Sequence, residues 1–203
     1  FSAVGSVEAA FEIATGKELN LSEQELVDCA HEQGSEGCNG GLYEGAFQYL
    51  QGHGSEAESA YGYTQTTDRC EYDADKIVNH CVVGQRELPS HNTAALIAAI
   101  KTQPVSISIQ ANQSVYQFYT SGVIADNGKC GTQLDHAVLA IGFGNEDGLD
   151  YVLVRNSWGP NWGVHGTVKL GVKDRSCACG CVFDDSVVVK CHACSIIDLN
   201  PKK

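Results

Sequence analysis

Apolar residues recur at helical spacing in the first third of the chain, whereas short apolar runs dominate the second half. Six apolar side chains between Phe1 and Ala14 follow a helical repeat, and Thr15-Gly16 then supplies a stop signal. No Ser, Thr, Asp or Asn precedes Phe1 to cap the first free N–H groups. The pattern therefore predicts a buried helix that is already under way at Phe1.

Later segments predict further helices, and then strands. Ser22 stands three positions before Glu25, a capping pair that starts a short helix ending near Asp28. Helical periodicity returns at residues 42–50 and 92–100, and short apolar runs predict strands at residues 105–109, 137–143, 151–154 and 167–170. Helices followed by strands predict an α+β chain in two lobes. We expect residues 1–86 to form a helical lobe that lacks its N-terminal portion, and residues 87–203 to form a β-rich lobe with a cysteine-rich C-terminal tail.

Composition indicates a folded protein and excludes two kinds of partner. With 43% hydrophobic and 19% charged residues, the 203-residue chain is too apolar for disorder and long enough for one or two lobes. Its formal charge of −12 repels phosphate groups, so no nucleic-acid partner is expected. No apolar run reaches the roughly 18–20 residues that span a bilayer, so no membrane span is expected.

Among the seven histidines, His136 stands in the setting that a general base requires. It follows Asp135 and opens an apolar segment, a strand that would hold the imidazole in one geometry. Asn156 follows the next strand, and its side chain would accept the ring N–H of His136 and fix the tautomer. The alternative from these residues alone is that Asn156 makes a turn and Trp158 belongs to the core.

Six motifs stand in the order found in one enzyme family. They are Phe1-Ser2-Ala3-Val4, Ser22-Glu23-Gln24-Glu25-Leu26-Val27-Asp28-Cys29, Gly37-Cys38-Asn39-Gly40-Gly41, Gln103-Pro104-Val105-Ser106, Asp135-His136-Ala137-Val138 and Asn156-Ser157-Trp158-Gly159. From Phe1 to about Cys181 the chain resembles the papain-like cysteine peptidases. The resemblance implies a two-lobe fold with a helical left lobe, a β-barrel-like right lobe and the active-site cleft between them.

The resemblance also implies a catalytic site of which this chain carries a part. His136 would move the proton and Asn156 would orient His136. The nucleophilic cysteine would lie in a Cys-Trp-Ala segment just upstream of Phe1, and the oxyanion-stabilising glutamine further upstream. A helix N-terminus and an imidazolium lower the pKa of a thiol below its free value of about 8.5, and no cysteine within the chain has that setting in the sequence.

Substrate-binding residues follow from the same resemblance. Gly40 and Gly41 carry no side chain and would let an extended peptide backbone approach. The remaining residues expected at the substrate are Leu42, Tyr43, Ser108, Leu134, Asp135, Ala137, Trp158, Trp162 and Asp184. Of these, Leu42, Tyr43, Ser108, Leu134 and Ala137 would line the pocket for the second residue before the scissile bond. Asp184 would close the floor of that pocket, and Trp162 would cover the leaving-group side.

Ten cysteines and two glycosylation acceptor sequences, at Asn20 and Asn112, indicate an oxidising compartment on the secretory route. The resemblance implies that Cys29 pairs with Cys70 and Cys130 with Cys179. It places the partners of Cys38 and Cys81 upstream of Phe1. Four cysteines of the C-terminal stretch remain, namely Cys177, Cys181, Cys191 and Cys194. We expect two further disulfides there, and the alternative is a zinc site that includes His192.

The leading hypothesis is a cysteine endopeptidase that hydrolyses peptide bonds through a thiol acyl-enzyme, with no cofactor or metal. Its partners would be peptide or protein substrates and a propeptide or cystatin-like inhibitor, in a lysosomal, vacuolar or extracellular compartment. The alternative is a non-catalytic homologue, in which the fold serves as a binding or structural subunit and the nucleophile is lost or replaced.

Overall fold

The computed structural model describes residues 1–125, 127, 130–173, 176–181 and 186–192, and the chain divides into two compact units. One unit joins Phe1–Ser2 to Glu87–Val188, and the other joins Ala3–Arg86 to the described residues from Val189 onward. The helices are α1 (Ser2–Thr15), α2 (Glu23–Cys29), α3 (Tyr43–His53), α4 (Thr93–Ile100) and α5 (Ser114–Gln117). The strands are β1 (Ser55–Glu56), β2 (Ile77–Asn79), β3 (Val82–Glu87), β4 (Val105–Ile109), β5 (Val123–Ile124), β6 (His136–Glu146), β7 (Leu149–Arg155), β8 (Thr167–Lys173), β9 (Ser176–Cys177) and β10 (Val187–Cys191). Short 3₁₀ turns lie at Ala30–Gln33, Gly37–Asn39, Ala74–Lys76 and Ala178–Gly180.

Two helices begin at the capping residues visible in the sequence. The Ser22 side chain accepts a hydrogen bond from the Glu25 N–H at the start of α2, and Asn92 accepts one from the Ala95 N–H at the start of α4. Each bond satisfies an N–H group that a helix start leaves without a partner. The helices predicted at these two places are confirmed. Within the described part of the chain, no helix combines the length and apolar character needed to cross a membrane.

The unit built on Glu87–Val188 is organised around a mixed sheet. Its strand order is β10-β4-β6-β7-β8-β5, antiparallel except for β5 against β8, and β9 pairs with β8. Alternate residues of the central strands are fully buried, among them Val105, Ile107, Ile109, Val152, Val154, Val168 and Leu170. Among the described residues the strand path is open, so the barrel-like lobe implied by the resemblance is an open mixed sheet instead of a closed barrel.

The unit built on Ala3–Arg86 packs α1, α2 and α3 with the antiparallel ribbon of β1 and β2. Its interior holds the carboxyl group of Glu25, which accepts hydrogen bonds from Tyr49 Oη (3.1 Å), Ser55 Oγ (3.3 Å) and the Glu56 N–H (2.8 Å). Burial raises the pKa of Glu25, against the effect of these donors. The three donors make an ionisable side chain tolerable in the core and tie α2 to α3 and β1.

Four disulfides lie in the described part of the chain, and three of them join residues 41 to 110 positions apart. The pairs are Cys29–Cys70, Cys81–Cys191, Cys130–Cys179 and Cys177–Cys181. Two of them, Cys29–Cys70 and Cys130–Cys179, are the pairings that the resemblance implied. Cys38 is the free cysteine among the described residues, and its pairing with an upstream cysteine stays a prediction. Cys194 lies outside the described residues.

The expectation of an upstream partner for Cys81 is wrong, because Cys81 pairs with Cys191. Cys81 immediately precedes β3, and Cys191 ends β10, which neighbours β3 in the sheet. The His192 N–H also donates to the Cys81 carbonyl (2.9 Å), which continues this contact by one residue. Of the two further disulfides, Cys177–Cys181 therefore lies within the C-terminal stretch, whereas Cys81–Cys191 joins that stretch to an earlier part of the chain. Among the described residues no group of three or more His, Cys, Asp or Glu side chains is placed to hold a metal ion.

Removal of the Cys81–Cys191 bond should lower the free energy of unfolding by about 5 kcal/mol, because the bond joins residues 110 positions apart and restricts the unfolded chain strongly. The double variant Cys81→Ala/Cys191→Ala tests this. Cys177→Ala/Cys181→Ala is the matched control, since its bond spans 4 positions and should contribute about 2 kcal/mol. Denaturant unfolding in non-reducing buffer measures both losses, and equal losses would contradict the prediction.

Candidate active site

The sheet register brings His136 and Asn156 together. His136 is the first residue of β6 and pairs across the sheet with Ile109, the last residue of β4. On the other side β6 runs antiparallel to β7, with Leu139 opposite Arg155, and Asn156 directly follows Arg155. As a result, His136 Nε2 lies 2.8 Å from Asn156 Oδ1.

The hydrogen bonds of Asn156 decide which nitrogen of His136 carries the proton. Asn156 Oδ1 also accepts the backbone N–H of Ser157 at 2.8 Å, which identifies this atom as the amide oxygen. Because Oδ1 can only accept, the facing Nε2 of His136 must donate. In the neutral ring Nδ1 is then left with a lone pair that can take a proton.

Aromatic side chains enclose this pair. The Trp158 ring stacks on the His136 ring, with centroids 5.3 Å apart and planes inclined by 25°. Tyr116 is fully buried and packs edge-on against Trp158 at 5.5 Å, and Trp162 contacts Trp158 in the same manner at 5.3 Å. Asn156 is only 7% exposed. Trp158 therefore shields one face of the imidazole and the hydrogen bond beside it from water.

Burial lowers the pKa of His136, because the apolar surroundings disfavour the charged ring. The hydrogen bond to Asn156 and the negative charge of Asp135 act in the opposite direction, since both favour the protonated ring. The imidazole is therefore neutral over a wider range below pH 7 than a solvent-exposed histidine, and the neutral form is the one that accepts a proton.

The backbone just before His136 is held by Asp135. The carboxylate of Asp135 accepts the N–H groups of Ala111 (2.6 Å) and Asn112 (3.2 Å), and its own N–H donates to the Ile109 carbonyl (3.0 Å). These bonds extend the β4–β6 pairing beyond the last ladder pair. Asp135, which the resemblance places at the substrate, thus also ties the residue before the imidazole to the end of β4.

Ser2 lies against the strand that carries His136. Ser2 Oγ donates to the Val138 carbonyl at 2.7 Å, and Ser106 Oγ donates to the Ser2 carbonyl at 3.2 Å. Val138 is two positions beyond His136 along β6. Ser2 is therefore fixed near the histidine by two hydrogen bonds.

Three of the predicted substrate residues lie close together in this unit. Ser108 and Ala137 are direct partners across β4 and β6, and Leu134 stands two positions before His136. All three are half-buried, so each has part of its side chain at the surface. Trp158 and Trp162 lie on the aromatic side of the histidine, as described above.

Four other predicted residues follow one another in the second unit. Gly40, Gly41 and Leu42 form an exposed stretch after the 3₁₀ turn Gly37–Asn39. Gly40 has a φ of 113°, which side chains rarely adopt, whereas nothing lies within 4 Å of the place where a Cβ would stand. Tyr43 is buried, so its side chain belongs largely to the core of this unit. Asp184 lies outside the described residues.

Comparison with known protein families matches residues 1–189 to the papain family cysteine proteases. The chain belongs to the papain family of cysteine proteases. A thiol protease of Hemerocallis sp. is 40% identical over 208 residues, which cover 100% of this chain and 54% of that protein. A KDEL-tailed cysteine endopeptidase of Arabidopsis thaliana is 41% identical over 193 residues, covering 94% of this chain and 53% of that protein. The chain thus spans about half the length of these curated relatives.

Solved structures confirm the papain-like α+β fold. The cysteine protease of Carica candamarcensis in complex with E-64 is 38% identical, with a TM-score of 0.84, covering 94% of this chain and 86% of that chain. The proform of the Amb a 11 cysteine protease, a major ragweed pollen allergen, is 35% identical, with a TM-score of 0.85, covering 99% of this chain and 59% of that chain. The family membership predicted from the order of the motifs is therefore confirmed.

Some side chains that hold the site carry no recognisable signal in the sequence. Ser2 and Ser106 lie 104 positions apart, and their contact does not follow from periodicity. Tyr116 belongs to α5, whose four residues are too few for a helical pattern. A buried aromatic residue near two tryptophans is a weak signal, because such residues occupy most cores.

Asn156→Ala should lower the pKa of His136 further, because it removes the hydrogen bond that favours the protonated ring. NMR titration of the His136 ring protons in the 203-residue chain measures the shift. Asn145→Ala serves as the control. Asn145 lies on β6, as His136 does, but near the other end of that strand, where its side chain is exposed and donates to Asp150. A His136 pKa that is unchanged or raised in Asn156→Ala would contradict this assignment.

Proposed function

We propose that the full polypeptide is a cysteine endopeptidase that hydrolyses peptide bonds through a thiol acyl-enzyme. The observation that carries the proposal is the His136–Asn156 pair, in which Nε2 donates to Oδ1 at 2.8 Å and Nδ1 keeps its lone pair. A nucleophile–base–orienter site requires this geometry of its base and its orienter. Membership of the papain family supplies the reaction class.

The proposed nucleophile is a cysteine on residues that precede Phe1 in the full polypeptide. Among the described cysteines only Cys38 is free, and it lies in an exposed 3₁₀ turn instead of at the N-terminus of an α-helix. The bond from Ser2 Oγ to the Val138 carbonyl supports the proposed place. Because Ser2 is bonded to the strand that carries His136, a residue shortly before Phe1 would lie close to that strand.

In the proposed reaction the thiolate forms a C–S bond to the scissile carbonyl carbon. The protonated Nδ1 of His136 gives its proton to the amine nitrogen as the C–N bond breaks. A water molecule then attacks the thioester, while His136 takes one proton from it and the C–S bond breaks to restore the thiolate. Asn156 keeps the ring in one orientation through both proton transfers.

We propose that the substrate contacts the residues that the family resemblance implies. Gly40 and Gly41 would pair with the substrate backbone, a role that their exposure and missing side chains support. Ser108, Leu134, Ala137 and Leu42 would contact the side chain two residues before the scissile bond, and a contact from the buried Tyr43 stays a prediction. Trp158 and Trp162 would contact the leaving-group side. Asp135 would act through the backbone that it holds, and the role of Asp184 stays a prediction.

A propeptide or a cystatin-like inhibitor is the proposed protein partner, and the compartment is proposed to be lysosomal, vacuolar or extracellular. The proform of the ragweed relative supports a propeptide. Four disulfides in the described chain support an oxidising compartment. Asn20 and Asn112 are proposed to be glycosylated, since both are exposed.

His136→Ala in the full polypeptide should lower kcat by roughly 10⁴-fold, because the substitution removes the base and leaves the thiol unactivated. Peptide hydrolysis measures turnover, and labelling by an epoxide such as E-64 measures the activated thiol separately. His80→Ala is the control, since His80 is exposed and its ring Nε2 bonds to the backbone carbonyl of Gln51, far along the chain from His136 and Asn156. Retained turnover in His136→Ala would refute its role as the base. Full-length protein that neither cleaves peptides nor takes the label would favour the non-catalytic alternative.

Secretion from a eukaryotic host should add one glycan at Asn20 and one at Asn112, because both acceptor side chains are exposed. Asn20→Gln and Asn112→Gln should each lower the intact mass by one glycan, and Asn145→Gln, outside any acceptor sequence, should leave it unchanged. Mass spectrometry before and after glycosidase treatment measures the change. A wild-type mass that glycosidase does not alter would contradict this proposal.

A further inference from the structure

Residues 130–135, named here the approach segment, lead into His136 without a helix or strand of their own. Its first residue is tied by the Cys130–Cys179 disulfide, and its last residue, Asp135, is tied to the end of β4. Its middle is held by a hydrogen bond from the Gln133 N–H to Gln110 Oε1 at 3.1 Å. The proposed reaction gives Gln110 no role, although this side chain holds the loop that presents Leu134.

The side chain of Gln110 is buried, and both the oxygen and the nitrogen of its amide make hydrogen bonds. It directly follows β4 and is 4% exposed. Its Oε1 accepts the Gln133 N–H, its Nε2 donates to Asn112 Oδ1 at 2.9 Å, and its backbone N–H donates to the Cys179 carbonyl at 2.8 Å. A buried amide with these partners has little freedom to move, because any shift leaves a polar group unpaired.

Packing around two glycines leaves the approach segment little room. A Cβ on Gly131 would collide with Gln110 Oε1, so the segment passes directly over the glutamine amide. A Cβ on Gly180 would stand 3.0 Å from Leu134 Cδ2 and 3.5 Å from Thr132 Cα. Leu134 therefore rests against the Gly180 turn while its own backbone is held toward Gln110.

We propose that Gln110 is a positioning residue that sets the place of Leu134 and thereby the selectivity for the substrate side chain two residues before the scissile bond. This inference rests on the proposed function, because it assigns Leu134 to the pocket for that side chain. Gln110 acts through the backbone of Gln133, the residue before Leu134. The end of the segment is held independently by Asp135, so loss of the Gln110 amide should move Leu134 more than His136.

Three variants separate the contact to Gln133 from the other contacts of Gln110. Gln110→Met keeps the length of the side chain and removes both amide hydrogen bonds. Gln113→Met is the matched control. Gln113 Nε2 donates to the same Asn112 Oδ1 at 2.9 Å, so this variant also removes a bond to Asn112, but it leaves the bond between the Gln133 N–H and Gln110 intact. Gln110→Glu retains an oxygen acceptor for Gln133 and is the conservative rescue.

The measurement is the ratio of kcat/KM for two peptides that differ only in having leucine or alanine two residues before the scissile bond. In Gln110→Met of the full polypeptide the ratio should fall about fivefold, through KM, because a loosened pocket wall loses part of its apolar contact. The kcat for the leucine peptide and epoxide labelling should stay near wild type. Gln113→Met should keep the wild-type ratio, and Gln110→Glu should lie closer to wild type than Gln110→Met does.

An unchanged ratio in Gln110→Met, an equal fall in Gln113→Met, or a loss confined to kcat would overturn the positioning role. Wild-type protein that cleaves neither peptide and resists the epoxide would overturn the proposed function, and the inference with it, so the two failures are distinguishable. Circular dichroism checks that the variants are folded. If Gln110→Met is unfolded, Gln110→Asn replaces it with the same expected fall, because asparagine is one methylene too short to reach Gln133.

Discussion

The hydrogen bond between His136 and Asn156 depends on the register of three neighbouring strands. His136 opens β6 opposite the last residue of β4, and Asn156 comes directly after the last residue of β7. A shift of one residue in either pairing would separate His136 from Asn156, because side chains alternate between the two faces along a strand. The buried valines and isoleucines of β4, β7 and β8 oppose such a shift, since it would also expose the core. The core of the sheet therefore fixes the geometry of the site as well as its stability.

The surroundings of His136 balance opposing effects on its charge. Burial disfavours the charged ring, whereas Asn156 and Asp135 favour it. A base in the proposed reaction must both accept and release a proton, so a pKa displaced far in either direction would stop one of the two transfers. Shielding by Trp158 also protects the 2.8 Å hydrogen bond from competition by water. The stacked Trp158 ring therefore helps to preserve the orientation in which the neutral imidazole can accept a proton.

The sequence predicted the features that depend on local chemistry. Ser22 and Asn92 begin helices because their side chains cap N–H groups within three residues, and β4 coincides with its apolar run. The neighbourhood of His136 and Asn156 followed from motifs whose order is shared with a known family. Features that depend on strand neighbours were missed or wrong, because no residue spacing reveals them. Cys81 meets Cys191 only because β3 lies beside β10, and the open sheet follows from pairings that the individual strands do not specify.

Buried polar side chains are the feature that a pattern of hydrophobic positions hides most completely. Gln24, Glu25, Asp28, Glu56 and Gln110 look like surface residues in the sequence, yet each is almost fully buried. Each accepts a backbone N–H from a distant segment, at Thr64, Glu56, Asp68, Asp73 and Gln133 respectively. Many of these acceptors hold irregular segments, whose N–H groups have no ladder partner and would otherwise be buried without a bond. The chain thus fixes much of its irregular structure with side-chain oxygens, and substitution of one should displace a whole loop instead of creating a local cavity.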